Sequence, residues 1–326
     1  MSIFKPRTAF KPFEYGEIMQ YGEAINHSYW LVSEWNFKSD IQDFNVRLSE
    51  PQKNIVKNTL LAISQIEVAV KKFWTLLGSR FPKPEFEMVG VTCGESEVRH
   101  AQAYSHLLQV LNLNEDFQGL MNVPAVRGRV DYLNKYLAKA NEKSHKDYTL
   151  TLSLLSIFVE NVSLFSQFAI IKSFNKHMNV LKDIDNVVQA TQKEELIHAL
   201  LGVYIINQIK TENPDWFDDE FYQNIRTACL KSYEAECEII DWIFEQGELP
   251  FLSKDTLKEF IKFRFNESMA MINGYKVFEI DDSKLVGLEW FNEEIYAETS
   301  TDFFHKRPVS YSKNMQSVKA EDLFDE

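Results

Sequence analysis

Tight turns have little material in this chain: there are eleven glycines and nine prolines in 326 residues, against average usage of about 7% and 5%. Long elements follow from that scarcity, which favours helices. Cysteine is equally sparse. Cys93, Cys229 and Cys237 are odd in number and form no Cys-x-x-Cys, which excludes a disulfide framework and a zinc knuckle and fits a reducing cytosol. Basic charge is outnumbered, 35 Lys and Arg against 48 Asp and Glu, for a net charge of −13. No general affinity for nucleic acid or for an anionic membrane is therefore expected. Met1 to Phe13 lacks the apolar stretch of a signal peptide, and the apolar runs are cut by residues such as Glu67 and Glu160 before 18 positions. A soluble, cytoplasmic protein is expected. Length alone allows one large domain or two average ones. With no long linker, low-complexity tract or solenoid repeat, one domain is the better reading.

What is present is helical periodicity. Residues 1–13, with Pro6 and Pro12, read as an arm. From Glu14 to about Trp35, the residues Ile18, Tyr21, Ile25, Tyr29 and Val32 mark one helical face, with Trp30 inside that helix. A polar connection from Asn36 leads to Leu48-Ser49-Glu50-Pro51, where Ser49 predicts an N-cap and Pro51 an early helical position. That helix is expected to run to Leu77 and stop at Gly78. Further helices are predicted over about 85–112, 127–140, 148–174, 183–210, 217–247 and 254–274. The one from Tyr148 to Phe174 is apolar all round, the pattern of a buried central helix. After Asp281 the pattern weakens, and 308–326 reads as a flexible acidic tail.

Two short stretches stand out against this background: Glu97-Val98-Arg99-His100 and Glu195-Leu196-Ile197-His198. Each is a Glu-x-x-His, which puts both side chains on one helix face. Each follows an isolated glutamate in an apolar pattern, Glu67 before the first and Glu160 before the second. An unpaired carboxylate in such a setting costs several kcal/mol or takes up a proton. One Glu from each of two helices, with Glu-x-x-His from each of two others, builds a carboxylate-bridged dimetal site. Four carboxylates against two divalent first-row ions also balance in charge. His27, His106, His145, His177 and His305 have no partner at ligand spacing and read as surface or satisfied core residues. Glu95 and Glu194 adjoin the pairs, and each by itself is the pattern of a solvated charge.

These residues resemble a known family over nearly the whole chain, the small radical-generating subunit of class I ribonucleotide reductase. The resemblance is carried by Glu97-Val-Arg-His100 with Tyr104 one turn later, Glu194-Glu195-Leu-Ile-His198, the early Tyr29-Trp30 pair, Trp290-Phe291-Asn292-Glu293 and Asp302-Phe303-Phe304-His305-Lys306-Arg307. It implies an all-α, ferritin-like bundle over 1–307 with a dimetal-carboxylate site in its core. Glu67, Glu97 and His100 would hold one ion and Glu160, Glu195 and His198 the other, some carboxylates bridging. Tyr104 falls where many members carry a stable tyrosyl radical. Trp30, bonded to Glu194 and through it to His100, would relay an electron between the cofactor and the surface, and Tyr311 would pass oxidising equivalents to the large subunit. The end of the tail, Asp322 to Glu326, would dock on that subunit, and the family is expected to be homodimeric.

Some positions depart from the commonest pattern of that family. The first ligand is Glu67 and the relay acid Glu194, where aspartate is usual, and Thr191 adds polarity, beside Val188, to a pocket expected to be dry. These departures resemble subgroups that use manganese, as Mn/Mn or Mn/Fe, and keep the oxidising equivalent on the metals. Manganese is favoured, with diiron as the alternative; ligand type serves both alike. No added nucleotide-binding domain is expected before Trp30. A rival function is a stand-alone ferritin-like Mn/Fe oxidase acting on a bound long-chain substrate, which would have no use for the Trp30 relay or the tail. Iron storage fits less well because it requires a cage-forming shell and the chain is about twice the length of a four-helix storage subunit; a metal-free bundle with buried Glu–His pairs fits less well because buried ion pairs stabilise poorly compared with apolar packing.

Overall fold

A computed structural model describes residues 2–137 and 144–300. Its helices in chain order are α1 (Met19–His27), α2 (Lys38–Gln42), α3 (Glu50–Thr75), α4 (Leu77–Arg80), α5 (Pro84–Val110), α6 (Asn114–Gly119), α7 (Pro124–Leu137), α8 (His145–Leu154), α9 (Phe165–Met178), α10 (Lys182–Glu212), α11 (Asp219–Ile243), α12 (Lys254–Met271) and α13 (Glu289–Ser300). No strand occurs among the described residues, where Leu249 and Leu252 form an isolated bridge. The predicted start of α3 is observed: the Ser49 N–H donates to the Gln52 side chain at 2.9 Å, and Pro51 sits in the first turn. α3 lies along α5, and α10 packs on the rod formed by α8, α9 and the segment between them. These long helices enclose the core, and α11 and α12 pack against them and add buried residues to it.

Four expectations are corrected. Trp30 is not in a helix: α1 ends at His27, the Ser28 hydroxyl donates back to the Ile25 carbonyl at 3.1 Å, and the chain turns so that Trp30 meets Glu194. Gly78 does not stop a helix but lies within α4, where an added Cβ would come within 2.7 Å of Glu87, so its bareness lets α4 close on α5. The polar connection after Asn36 holds α2 and a π turn, Asp43–Arg47. Its buried Asp40 and Asp43 accept the N–H groups of Ile184 and Leu181 at 2.8 and 3.0 Å, supplying partners to the start of α10. Finally, the weak pattern after Asp281 contains α13.

The central apolar helix spans His145–Met178, and one glutamate does not interrupt it enough: by length and composition it could cross a membrane. Its apolar window is wholly buried inside the bundle, as a core helix requires. It is not α-helical throughout. Leu155–Ser163, in its middle, is a π segment, and this segment carries Glu160.

The N-terminal arm packs rather than drifts. Ile3 and Tyr15 both donate to Glu212 at the end of α10, at 2.8 and 2.6 Å. Arg7 pairs with Glu85 at the start of α5, whose other oxygen accepts the N–H groups of Glu14 and Tyr15 at 3.0 and 3.2 Å. Lys83 completes the belt with a 2.7 Å pair to Glu14.

Candidate metal centre

Four segments bring their acidic and imidazole groups to one point in the core. Glu67 comes from α3, Glu97 and His100 from α5, Glu160 from the π segment, and Glu195 and His198 from α10, all at most 1% exposed. Glu67, Glu97, His100 and Glu195 each offer one atom to a group in which all four lie within 4.8 Å of one another. Glu97, Glu160, Glu195 and His198 form a second such group. Glu97 and Glu195 belong to both, so the two helices that carry Glu-x-x-His also supply the shared carboxylates. The crossing is reciprocal: His100 Nδ1 is 3.1 Å from Glu195, and His198 Nδ1 is 3.0 Å from Glu97.

Whether such a cluster suits metal ions is tested by what its atoms lack. Both oxygens of Glu67 and of Glu97, one oxygen each of Glu160 and Glu195, and His100 Nδ1 are buried with no hydrogen-bond partner. Buried polar groups are almost always satisfied, so this many orphans facing one space fit a pair of divalent cations. Without ions the cluster must bind protons instead. Burial pushes the Glu67 and Glu160 carboxyls well above the usual range, with neighbouring glutamates adding to the push on Glu160. His100 and His198 are also raised, burial being outweighed by Glu194 and Glu195 for the first and by Cys93, Glu160 and Glu195 for the second. Glu195 is held below the usual range, because its close contacts with Glu160, His100 and His198 outweigh its burial.

The outward nitrogens of the two histidines meet different neighbours. His100 Nε2 is 2.8 Å from the Glu194 carboxylate, so that nitrogen carries the proton and Nδ1 is left bare toward the ions. Glu194 is fully buried and also accepts from Trp30 Nε1 at 3.1 Å, from Arg99 at 3.1 Å and from Ser28 at 3.2 Å. It is therefore a hub rather than a solvated charge. Trp30 stacks on the His100 ring at 6.0 Å and 15°, while Arg99 covers Tyr29, which is 44% exposed. Glu95 stays half-exposed and pairs with Arg99 at 2.9 Å. His198 Nε2 instead meets the Ser96 hydroxyl at 2.9 Å. That hydroxyl donates to the Cys93 carbonyl at 2.7 Å, so it accepts from His198, and again Nδ1 is bare.

Tyr104 is 1% exposed, and burial with the nearby Glu67 charge pushes its hydroxyl well up. That hydroxyl has no hydrogen bond of ordinary geometry, and the Thr191 hydroxyl donates to the Val187 carbonyl at 3.0 Å. Tyr311, His305 and the rest of 301–326 lie outside the described residues. Two contributors went unread in the sequence. Trp74, fully buried, donates from Nε1 to Glu160 at 3.1 Å with its ring 5.6 Å from that of His198. It stands seven residues after Glu67 on α3, two turns along the same face, and that spacing was the available signal. Ser96 gave no such signal, since a serine before a ligand is common on any helix.

A helical bundle with two carboxylate–imidazole groups in its core that could hold a dimetal site is, as a class, a ferritin-like dimetal-carboxylate protein. Residues 7–284 match the family model "Ribonucleotide reductase, small chain". The chain belongs to that family, which is the beta subunit of ribonucleoside-diphosphate reductase. A probable ribonucleoside-diphosphate reductase small subunit of Invertebrate iridescent virus 3 is 24% identical over 96% of this chain and 86% of its own. Among solved structures, the ribonucleotide reductase R2 subunit from Clostridium botulinum has a TM-score of 0.76 at 16% identity, covering 86% of this chain and 89% of that one. An R2-like ligand-binding oxidase with a Mn/Fe cofactor has a TM-score of 0.69 at 17% identity, over 81% and 94% of the two chains.

Proposed function

We propose that this chain is the radical-storing small subunit of a class I ribonucleotide reductase, with Glu67, Glu97, His100, Glu160, Glu195 and His198 as ligands of two metal ions. The ions would supply a one-electron oxidant, manganese (Mn/Mn or Mn/Fe) being favoured over diiron. Everything else falls to the protein's own groups. Glu194 holds the His100 imidazole in one tautomer, accepts the Trp30 indole N–H and keeps the Arg99 cation beside both. That line of contacts, at 2.8 and 3.1 Å, is the observation that carries the reading. It joins a metal-facing imidazole to an indole whose neighbour, Tyr29, is exposed, which is what electron exchange with a partner chain requires. Tyr104 would be the radical store, and its burial suits a group shielded from reductants in solvent.

Residues 1–307 form the catalytic bundle and 308–326 the tail that docks on the large subunit, with Tyr311 on the way to it. Exposed Met88, Val91 and Val98 on α5 and Val68 on α3 support a homodimer, and the cysteine usage supports a cytoplasmic location. The oxidase reading draws on the Mn/Fe neighbour and needs a cavity opening on the ligands. The 440 Å³ cleft between α9, α10 and α13 is lined by Lys172, Lys176, Asp185, Trp290 and Glu294, and by none of the six. Removing 308–326 separates the two functions. Loss of ribonucleotide reduction with the large subunit, while both ions are retained, is expected; a truncated chain with unchanged turnover would reject the reductase assignment.

A further inference from the structure

Glu160 faces the cluster from a backbone that is not α-helical. A π turn bonds i to i+5 and is rarer and less favourable than the α register around it. What holds it is on α12. Arg264 donates from Nε and a terminal nitrogen to the Asn161 carbonyl at 3.1 and 2.8 Å, and the same guanidinium meets Asn161 Oδ1. The Asn161 amide in turn donates to Ser268 at 2.8 Å. Arg264 is 4% exposed and lies 4.4 Å over the Phe165 ring. Both the peptide and the side chain next to Glu160 are therefore gripped from one helix. The opposite flank is fitted as closely: a Cβ at Gly202, one turn beyond His198, would lie 1.8 Å from Ser156 of the π segment.

We propose that Arg264 is a positioning residue for Glu160. Its fork on Asn161 fixes the register of the π segment, and so the approach of the Glu160 carboxylate to the cluster. Trp74 holds one Glu160 oxygen directly, whereas the contacts of Arg264 described above reach the carboxylate only through the backbone. The inference rests on Glu160 being a metal ligand, as read under Proposed function.

The test is titration of metal-free full-length protein with Mn(II) alone, followed by calorimetry and elemental analysis, with Tm recorded alongside. Arg264→Met is expected to keep one ion and to bind the other about 10- to 100-fold more weakly, the usual cost of losing an outer support. Arg264→Lys, which restores an N–H donor to the Asn161 carbonyl, recovers part of that loss. Equal weakening of both ions, or no recovery with lysine, would make Arg264 a general fold support and overturn the proposal. Glu160→Ala is the companion variant. If it loses an ion while Arg264→Met binds both normally, this inference fails and the ligand reading stands; if it keeps two ions, the ligand reading itself fails. Should Arg264→Met not fold, Ser268→Ala carries the same test with a smaller shift in the same ion, and an unchanged affinity for that ion overturns the proposal.

Discussion

The two halves of the candidate metal centre are built from the same four-residue motif and are surrounded differently. Behind His100 stand a carboxylate, a guanidinium and an indole, all interlocked and ending at the exposed ring of Tyr29. Behind His198 stand a serine hydroxyl, a backbone carbonyl, the buried Cys93 side chain and the buried Trp74. Charge behind an imidazole raises its basicity and couples it to whatever else touches that charge; a neutral hydroxyl only orients it. One half is connected outward and the other insulated, and the difference lies outside the ligands themselves.

Breaking the connected half should have the largest effect. Trp30→Phe removes the indole N–H from Glu194 and leaves the ligands untouched. Ribonucleotide reduction with the large subunit is expected to fall to background while elemental analysis still finds two ions per chain; surviving turnover would erase the proposed contrast. Glu194→Ala comes next, because it strands a buried guanidinium and the outer nitrogen of His100. Losing one partner of a buried pair costs about 3–5 kcal/mol, read as a large drop in Tm, with Glu194→Gln milder. On the insulated side, Ser96→Ala removes two neutral hydrogen bonds, each worth about 1 kcal/mol. If Ser96→Ala and Glu194→Ala destabilised equally in thermal scans, the two halves would not differ in kind.

The gentlest probe is pH. In the metal-free cluster Glu67 and Glu160 titrate above 4.5 and His100 and His198 above 6.5. Groups raised in the folded state give stability that is full below their ordinary values and is lost as pH rises through the folded ones. Glu195, shifted the other way, gives stability that is full above its ordinary value of 4.5 and is lost as pH falls below it. Ions replace the bound protons, so the Tm gap between metal-loaded and metal-free protein should widen as pH rises through neutrality. A gap constant with pH would remove the proton-for-metal exchange from the account.

The cluster of four glutamates and two histidines was legible because a carboxylate inside an apolar run is conspicuous, and because Glu-x-x-His puts two side chains on one face whatever the fold. The long helices were legible from their periodicity. The π segment was not: a stretch apolar on every side has no stripe whose shift would betray an extra residue per turn. Trp30 was assigned to a helix because Tyr29 and Val32 continue the spacing of α1, whereas a contact with Glu194, 164 positions away, decides where the chain turns. Asp40 and Asp43 likewise read as connection polarity, since the helix start they serve lies far along the sequence.

The belt formed by the N-terminal arm has a mechanical consequence. Glu85 and Glu212 lie at adjacent ends of the two histidine-bearing helices, which run in opposite directions, and one short stretch of chain is knotted to both. Sliding α5 lengthwise past α10 would have to untie that knot at one glutamate or the other. The spacing between the two imidazoles is thus protected against shear by residues that lie a dozen or more positions from either of them.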